Sequence, residues 1–138
     1  MRLSIALLAC AVLLPAAAMA EQIDLKVGGW QVVKVQPDGS TGEVQKECLS
    51  EKDLHDMRMF LPPDSENECK VQGINQTKTS LQMQATCTGE MPGTLNISIK
   101  ADNSKKFVAT LTAVVNGATQ SMKMSADWIQ DSCEGFND

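Results

Sequence analysis

The chain has 138 residues, of which 43% are hydrophobic, and 12 Lys and Arg against 17 Asp and Glu give a formal net charge of −5. This length suits one modest domain with a single core. A net acidic chain without a dense Lys/Arg stripe argues against binding to nucleic acid or to an anionic membrane surface, because both need several clustered cations.

The first 20 residues have the features of a secretory signal peptide. A single cation at Arg2 precedes an apolar run from Leu3 to Pro15, and Ala18-Met19-Ala20 is a small-x-small cleavage site. We therefore expect residues 1–20 to be removed and residues 21–138 to form one mature domain in the periplasm.

A second processing route is weaker. Leu7-Leu8-Ala9-Cys10 resembles a lipoprotein cleavage box, but cleavage there would leave the apolar run 11–20 on the mature protein. Lipoprotein anchoring at Cys10 is therefore disfavoured. No later segment is apolar enough over sufficient length to predict a membrane span.

The N-terminal part of the mature chain predicts extended structure. Apolar residues alternate from Ile23 to Val27, and a strand is expected over 30–35. Turn-forming residues over 37–40 separate it from a further strand over 44–48.

One segment breaks the strand pattern and predicts a short helix over 51–57. Ser50 and Asp53 form a capping-box-like pair, and acidic residues occupy the first turn, where the helix dipole favours them. Pro62-Pro63 prevents continuation. We expect Leu54 to pack against the β core.

The same segment raises a metal hypothesis. Thioether sulfurs suit Cu(I), and Met57 and Met59 follow His55, the single histidine of the chain. Residues two apart on a helix point to different sides, however, so this set favours packing or surface roles. We therefore predict no metal site and no cofactor, with periplasmic Cu(I) binding by His55, Met57 and Met59 as an alternative.

The cysteines predict two disulfides. Five cysteines occur, and removal of the leader takes away Cys10, leaving Cys48, Cys69, Cys87 and Cys133. An even number in an exported domain indicates structural bridges. There is no Cys-x-x-Cys, which disfavours zinc binding and thiol–disulfide exchange.

Side-chain alternation selects the pairing of these cysteines. Apolar residues alternate over 81–87, residues 69–73 have one matching parity, and 75–80 is rich in turn formers. A hairpin about Lys78 then opposes three pairs on one face: Cys69–Cys87, Val71–Ala85 and Gly73–Met83. This register predicts the Cys69–Cys87 bridge, and Cys48–Cys133 follows by elimination.

The C-terminal half predicts three successive strands. Apolar residues alternate over 95–101 and 107–115, and Asn116-Gly117 indicates a type I′ hairpin turn. That turn opposes four pairs of apolar parity: Val115–Ala118, Leu111–Met122, Ala109–Met124 and Phe107–Ala126. Together these patterns predict a mainly antiparallel all-β domain of about seven strands, either a β-sandwich or a closed barrel-like sheet.

The chain also resembles a known family. Gly29-Trp30-Gln-Val-Val, then Cys48-Leu-Ser-Glu-Lys-Asp-Leu, and the order of the later cysteines are similar to the bacterial domain-of-unknown-function family numbered 3617, small exported proteins. The resemblance spans most of the mature chain and departs at Asp131-Ser132-Cys133, where Gly-x-Cys is expected. It implies a periplasmic location and a β-rich fold, and it supplies no activity and no functional residues.

Nothing in the sequence predicts an enzyme. The chain has no second histidine, no tyrosine and no Gly-x-Ser-x-Gly nucleophile context, and its clustered acids between Asp53 and Glu68 contain no recognisable catalytic pair. A non-catalytic binding module is therefore expected.

Two kinds of ligand fit such a module. A small apolar molecule would need an internal cavity, whose candidate lining residues are Leu111, Met122, Met124 and Trp128. A protein partner, as for an inhibitor or immunity-type protein, would dock on the acidic 50–68 segment through an exposed patch of Met57, Met59, Phe60 and Leu61.

Overall fold

The computed structural model describes residues 21–56, 61, 68–89 and 92–136. Seven strands and one helix occur in the order β1 (Gly28–Val35), β2 (Thr41–Leu49), α1 (Glu51–Asp56), β3 (Cys69–Gln76), β4 (Ser80–Cys87), β5 (Gly93–Asn103), β6 (Lys106–Val115) and β7 (Ala118–Gln130). All strands belong to one sheet of order β2-β1-β7-β6-β5-β4-β3, and every neighbouring pair is antiparallel.

The all-β antiparallel prediction is confirmed, but the sheet is neither a sandwich nor closed. β2 and β3 are its two edges, and no ladder joins them among the described residues. The sheet buries one face, here the core face, beneath residues of the segment 21–27, of α1 and of the β2–β3 connection. These covering residues are Ile23, Leu25, Leu54 and Leu61. Because they supply the second layer, no second sheet or closure is required.

The β6–β7 hairpin has the predicted register. All four predicted residue pairs are formed, from Val115–Ala118 to Phe107–Ala126. Asn116 and Gly117 have φ angles of 50° and 78°, as a type I′ turn requires.

Two of the three residue pairs predicted between β3 and β4 are formed. Cys69 pairs with Cys87 and Val71 with Ala85, but a bulge then shifts Gly73 opposite Gln84 instead of Met83. The edge strand β3 is exposed along most of its length, so burial does not hold it to one side-chain parity.

Both disulfides have the predicted pairing. Cys48 and Cys133 are bonded with their Cα atoms 5.3 Å apart, and Cys69 and Cys87 are bonded at 4.0 Å. The first bridge ties the edge strand β2 to the segment after β7, and the second joins β3 to β4.

The segment 21–27 is extended but is not a strand of the sheet. It crosses two hairpin turns, where the Asp24 amide donates to the Lys78 carbonyl at 2.9 Å and the Lys26 amide donates to the Ser104 carbonyl at 2.8 Å. These bonds hold Ile23 and Leu25 over one end of the core face.

Helix α1 begins as predicted. The Ser50 amide donates to Asp53 Oδ2 at 2.8 Å, and the Asp53 amide donates to Ser50 Oγ at 3.2 Å, a reciprocal cap. Leu54 is buried in the core as expected. The helix ends at Asp56, and residue 57 of the predicted span lies outside the described residues. Within the described ranges, no helix is long and apolar enough to cross a membrane.

Candidate ligand-binding cavity

The core face is tightly packed over β4 and β5, and it is more open over β1, β6 and β7. Leu81 and Ile99, on β4 and β5, are completely buried. Across the sheet, Val32, Leu111 and Met124 are only partly buried, although their side chains face the same way. The described residues of the covering segments therefore leave part of β1, β6 and β7 without a second layer.

This uncovered area forms a cavity of about 350 Å³, here called the core-face cavity. Residues of five strands and of the β2–β3 connection line it: Trp30, Val32, Gln45, Glu47, Leu49, Leu61, Ile97, Phe107, Ala109, Thr110, Leu111, Met122 and Met124. Most of these side chains are apolar. Such a lining suits a ligand that buries hydrocarbon.

Hairpin register explains why the β6 and β7 residues converge here. Leu111 is opposite Met122, and Ala109 is opposite Met124. The two methionines of β7 therefore lie beside β6, which has a small residue, Ala109, next to Met124. Ala109 leaves room above the sheet that a larger residue would fill. Met122 is 36% exposed, so the cavity is accessible from solvent.

Two aromatic rings form one end of the cavity. The centroids of Trp30 and Phe107 lie 5.1 Å apart with their planes tilted by 50°. Trp30 Nε1 donates to the Lys26 carbonyl at 2.8 Å, which fixes the indole and links it to the segment 21–27. The pair is therefore a preformed aromatic surface.

The polar residues of the lining come from the edge strand β2. Gln45 pairs with Val32 and Glu47 pairs with Trp30, which places both on the core face. The sequence did not predict them, because Val44, the aliphatic residue of the predicted strand 44–48, has the opposite parity. Val44 is in fact 53% exposed on the opposite face. The alternation that ends at the buried Leu49 is the signal that could have identified Gln45 and Glu47.

Three of the four predicted cavity residues line the core-face cavity, namely Leu111, Met122 and Met124. The fourth, Trp128, is not among the lining residues. It shares the face of Trp30 but lies beyond the cavity, where its Nε1 donates to the Val27 carbonyl at 3.1 Å. Lys26 Nζ lies 3.8 Å and Lys105 Nζ 4.9 Å from its ring centroid. Whether the other three bind a ligand stays a prediction.

The residues of the metal and partner hypotheses are only partly described. Met57, Met59 and Phe60 lie outside the described residues, and His55 is exposed at the end of α1. Leu61 is 9% exposed and lines the cavity, so it does not belong to an exposed patch. In the described part of the chain, no three His, Cys, Asp or Glu residues are grouped to hold a metal ion.

Two other depressions are less suited to an apolar ligand. One lies across β3 to β6 and is lined mainly by polar residues such as Gln82, Asn96 and Thr110. The other runs along the segment 22–27 beside His55. Both are larger, at about 500 and 680 Å³, but their linings are more polar than that of the core-face cavity.

One titrating group has a distinct environment, and it is remote from the cavity. Hydrogen bonds from the Ser40 hydroxyl and the Ser40 backbone amide, at 2.6 and 2.9 Å, hold the pKa of Asp38 below its usual value. Asp38 lies in the β1–β2 turn, so its charge stabilises that turn.

Comparison with known proteins gives one match. Residues 25–133 match a protein family described as "Protein of unknown function (DUF3617)". Searches of curated proteins and of solved structures gave no significant match.

Proposed function

The chain belongs to the DUF3617 family, and we propose that it is an exported, non-catalytic binding protein that holds a small apolar molecule in the core-face cavity. The single observation that carries this proposal is an apolar cavity in which Leu111, Met122 and Met124 stay partly exposed to solvent. A volume of about 350 Å³ lies within the range of small-molecule sites.

Physical chemistry supports a ligand at this place. Apolar surface removed from water gains roughly 25 cal/mol per Å². Leu111 and Val32 are only partly buried and Met122 is exposed, although all three lie beside the core. A hydrocarbon ligand would complete their burial at little conformational cost, because the sheet already fixes the lining.

A binding role also fits the chemistry of the lining better than catalysis does. Among the described lining residues, Glu47 is the one ionisable side chain, and there is no histidine, cysteine or lysine beside it. A lone carboxylate without a nucleophile or a second acid–base group suits ligand recognition.

The protein-partner alternative loses one of its supports. That alternative predicts an exposed patch that includes Leu61, but Leu61 is buried beside the cavity. The inhibitor or immunity-type function therefore has less support than the small-molecule function.

A periplasmic location is part of the proposal. Two disulfides suit an oxidising, exported environment, and the leader-like residues 1–20 suit export through a cleaved signal peptide. A carrier would keep a small apolar molecule in solution in that compartment, because apolar surface is poorly soluble in water.

The proposal is tested with a neutral naphthalene dye whose fluorescence rises in apolar surroundings. We expect saturable binding by the wild type and an affinity about tenfold weaker, or ~1.4 kcal/mol, for Met122→Glu, which puts a charge into the lining. Met122 is partly exposed, so this variant should still fold.

Ser121→Glu is the matched control. Ser121 is the neighbour of Met122 on β7 and is exposed on the opposite face of the sheet. It adds the same charge, and dye binding should be unchanged. Absence of saturable binding by the wild type, or equal weakening by both substitutions, would contradict the proposal.

A further inference from the structure

Glu47 is an unusual residue for an otherwise apolar lining. It is partly buried on the core face, as the cross-strand partner of Trp30. Within the described ranges, its carboxylate has neither a salt bridge nor a side-chain hydrogen bond to the protein, and Lys26–Asp131 and Lys106–Asp127 are the ion pairs present. Among the described residues, no cation pairs with its charge.

The aromatic end of the cavity adds a second attraction for a cation. Trp30 and Phe107 line the cavity beside Glu47, with centroids 5.1 Å apart. Aromatic faces attract ammonium groups through their quadrupole, most strongly when the ring is an indole. Because Trp30 is 2% and Phe107 8% exposed, the rings present only a small area to the cavity, and the Glu47 carboxylate is the main attraction for an ammonium group.

The lining offers no matching feature for an anion. Its described residues include no Lys, Arg or His. Lys34 is on the same face, opposite Met124, but it is not a lining residue. A ligand carboxylate at the aromatic end would face Glu47 without a neutralising cation, and like charges at short range repel.

The rest of the lining suits a hydrocarbon tail. Leu111, Met122 and Ile97 lie further along the strands from the aromatic end and carry no charge. The cavity thus has one end for a cation and one for an alkyl chain.

We propose that the ligand of the core-face cavity is a cationic amphiphile, an alkylammonium compound whose head group binds between Glu47, Trp30 and Phe107. This inference rests on the proposed function and specifies the class of ligand. Glu47 accepts hydrogen bonds from the ammonium group, and the tail lies over Leu111 and the two methionines.

The test is competition against the neutral dye at neutral pH by three compounds that share one tail: dodecylamine, dodecanol and dodecanoate. The two charged compounds are kept below their micelle-forming concentrations and dodecanol below its solubility limit. We expect the wild type to bind dodecylamine at least about tenfold more tightly than dodecanoate, with dodecanol between them. Glu47→Gln should remove this preference, because the amide keeps the shape of the side chain and lacks its charge.

Glu43→Gln is the matched control, because a net acidic chain attracts any cation over its whole surface. Glu43 is exposed on the same strand, outside the lining, and its substitution removes the same charge. The preference for dodecylamine should persist in this variant.

The outcomes separate the two proposals. Dye binding without preference for dodecylamine, or equal loss of that preference in both variants, overturns the ammonium inference and leaves the apolar-binding function in place. The same holds if the dye binds but none of the three compounds displaces it. Absence of saturable dye binding by the wild type overturns both.

Discussion

Removal of the Cys48–Cys133 disulfide is expected to destabilise the protein by about 4.5 kcal/mol on the chain-entropy model. The bridge closes a separation of 85 residues, so it restricts the unfolded chain strongly. It also holds the edge strand β2, which carries Glu47 and Gln45. The measurement is urea unfolding of Cys48→Ser/Cys133→Ser against the wild type.

Cys69→Ser/Cys87→Ser is the matched comparison. This bridge closes a separation of 18 residues, and the same model gives about 3 kcal/mol for its removal. Both double variants replace two sulfurs by hydroxyls. A larger loss of stability on removal of the shorter loop would contradict the account of how the two bridges act.

Ile99→Ala is expected to lower the free energy of unfolding by about 3 kcal/mol, within the usual range for deletion of a buried aliphatic side chain. Ile99 is 0% exposed and lies between Leu81 and Ala109 on the core face. Its neighbours are held by ladders on both sides, so they cannot collapse fully into the space left.

The control for Ile99→Ala is Val44→Ala, which also shortens a β-branched residue on a strand. Val44 is 53% exposed on the edge strand β2, so its substitution should change stability by less than about 0.5 kcal/mol. Chemical unfolding of the two variants side by side is the measurement. Similar losses would show that the core face is not the main hydrophobic core.

Much of the sheet could be predicted because turn chemistry and burial agree there. Asn116-Gly117 fixes the β6–β7 turn, and the apolar parity on both sides of it fits one register. The Cys69–Cys87 pairing could be predicted for the same reason, since alternation in β4 is strict.

The bulge in β3 could not be predicted by alternation alone. Val71 and Ile74 are three residues apart, so they cannot share one face of a regular strand, and this spacing was the available signal of an irregularity. Both side chains are exposed at the sheet edge. Little burial energy therefore distinguishes one register from the other.

The open sheet and the position of Trp128 illustrate a second limit. Side-chain parity predicts which face a residue occupies, but not how far along that face a cavity extends. Trp128 shares a face with Met124, yet it lies beyond the cavity, near Lys26 and Lys105. Likewise, the cover over the core comes from the irregular segment 21–27 and from Leu61, whose placement depends on tertiary contacts.

Binding of an apolar ligand in the core-face cavity can be observed directly by NMR. The experiment follows isotope-labelled methionine methyl groups during titration with dodecanol. Met122→Leu and Met124→Leu assign the two lining resonances and keep the side-chain volume nearly constant. We expect saturable chemical-shift changes at Met122 and Met124, because both line the cavity. Shifts at Met57 and Met59 alone would contradict this expectation, because the ligand would then bind to the segment after α1.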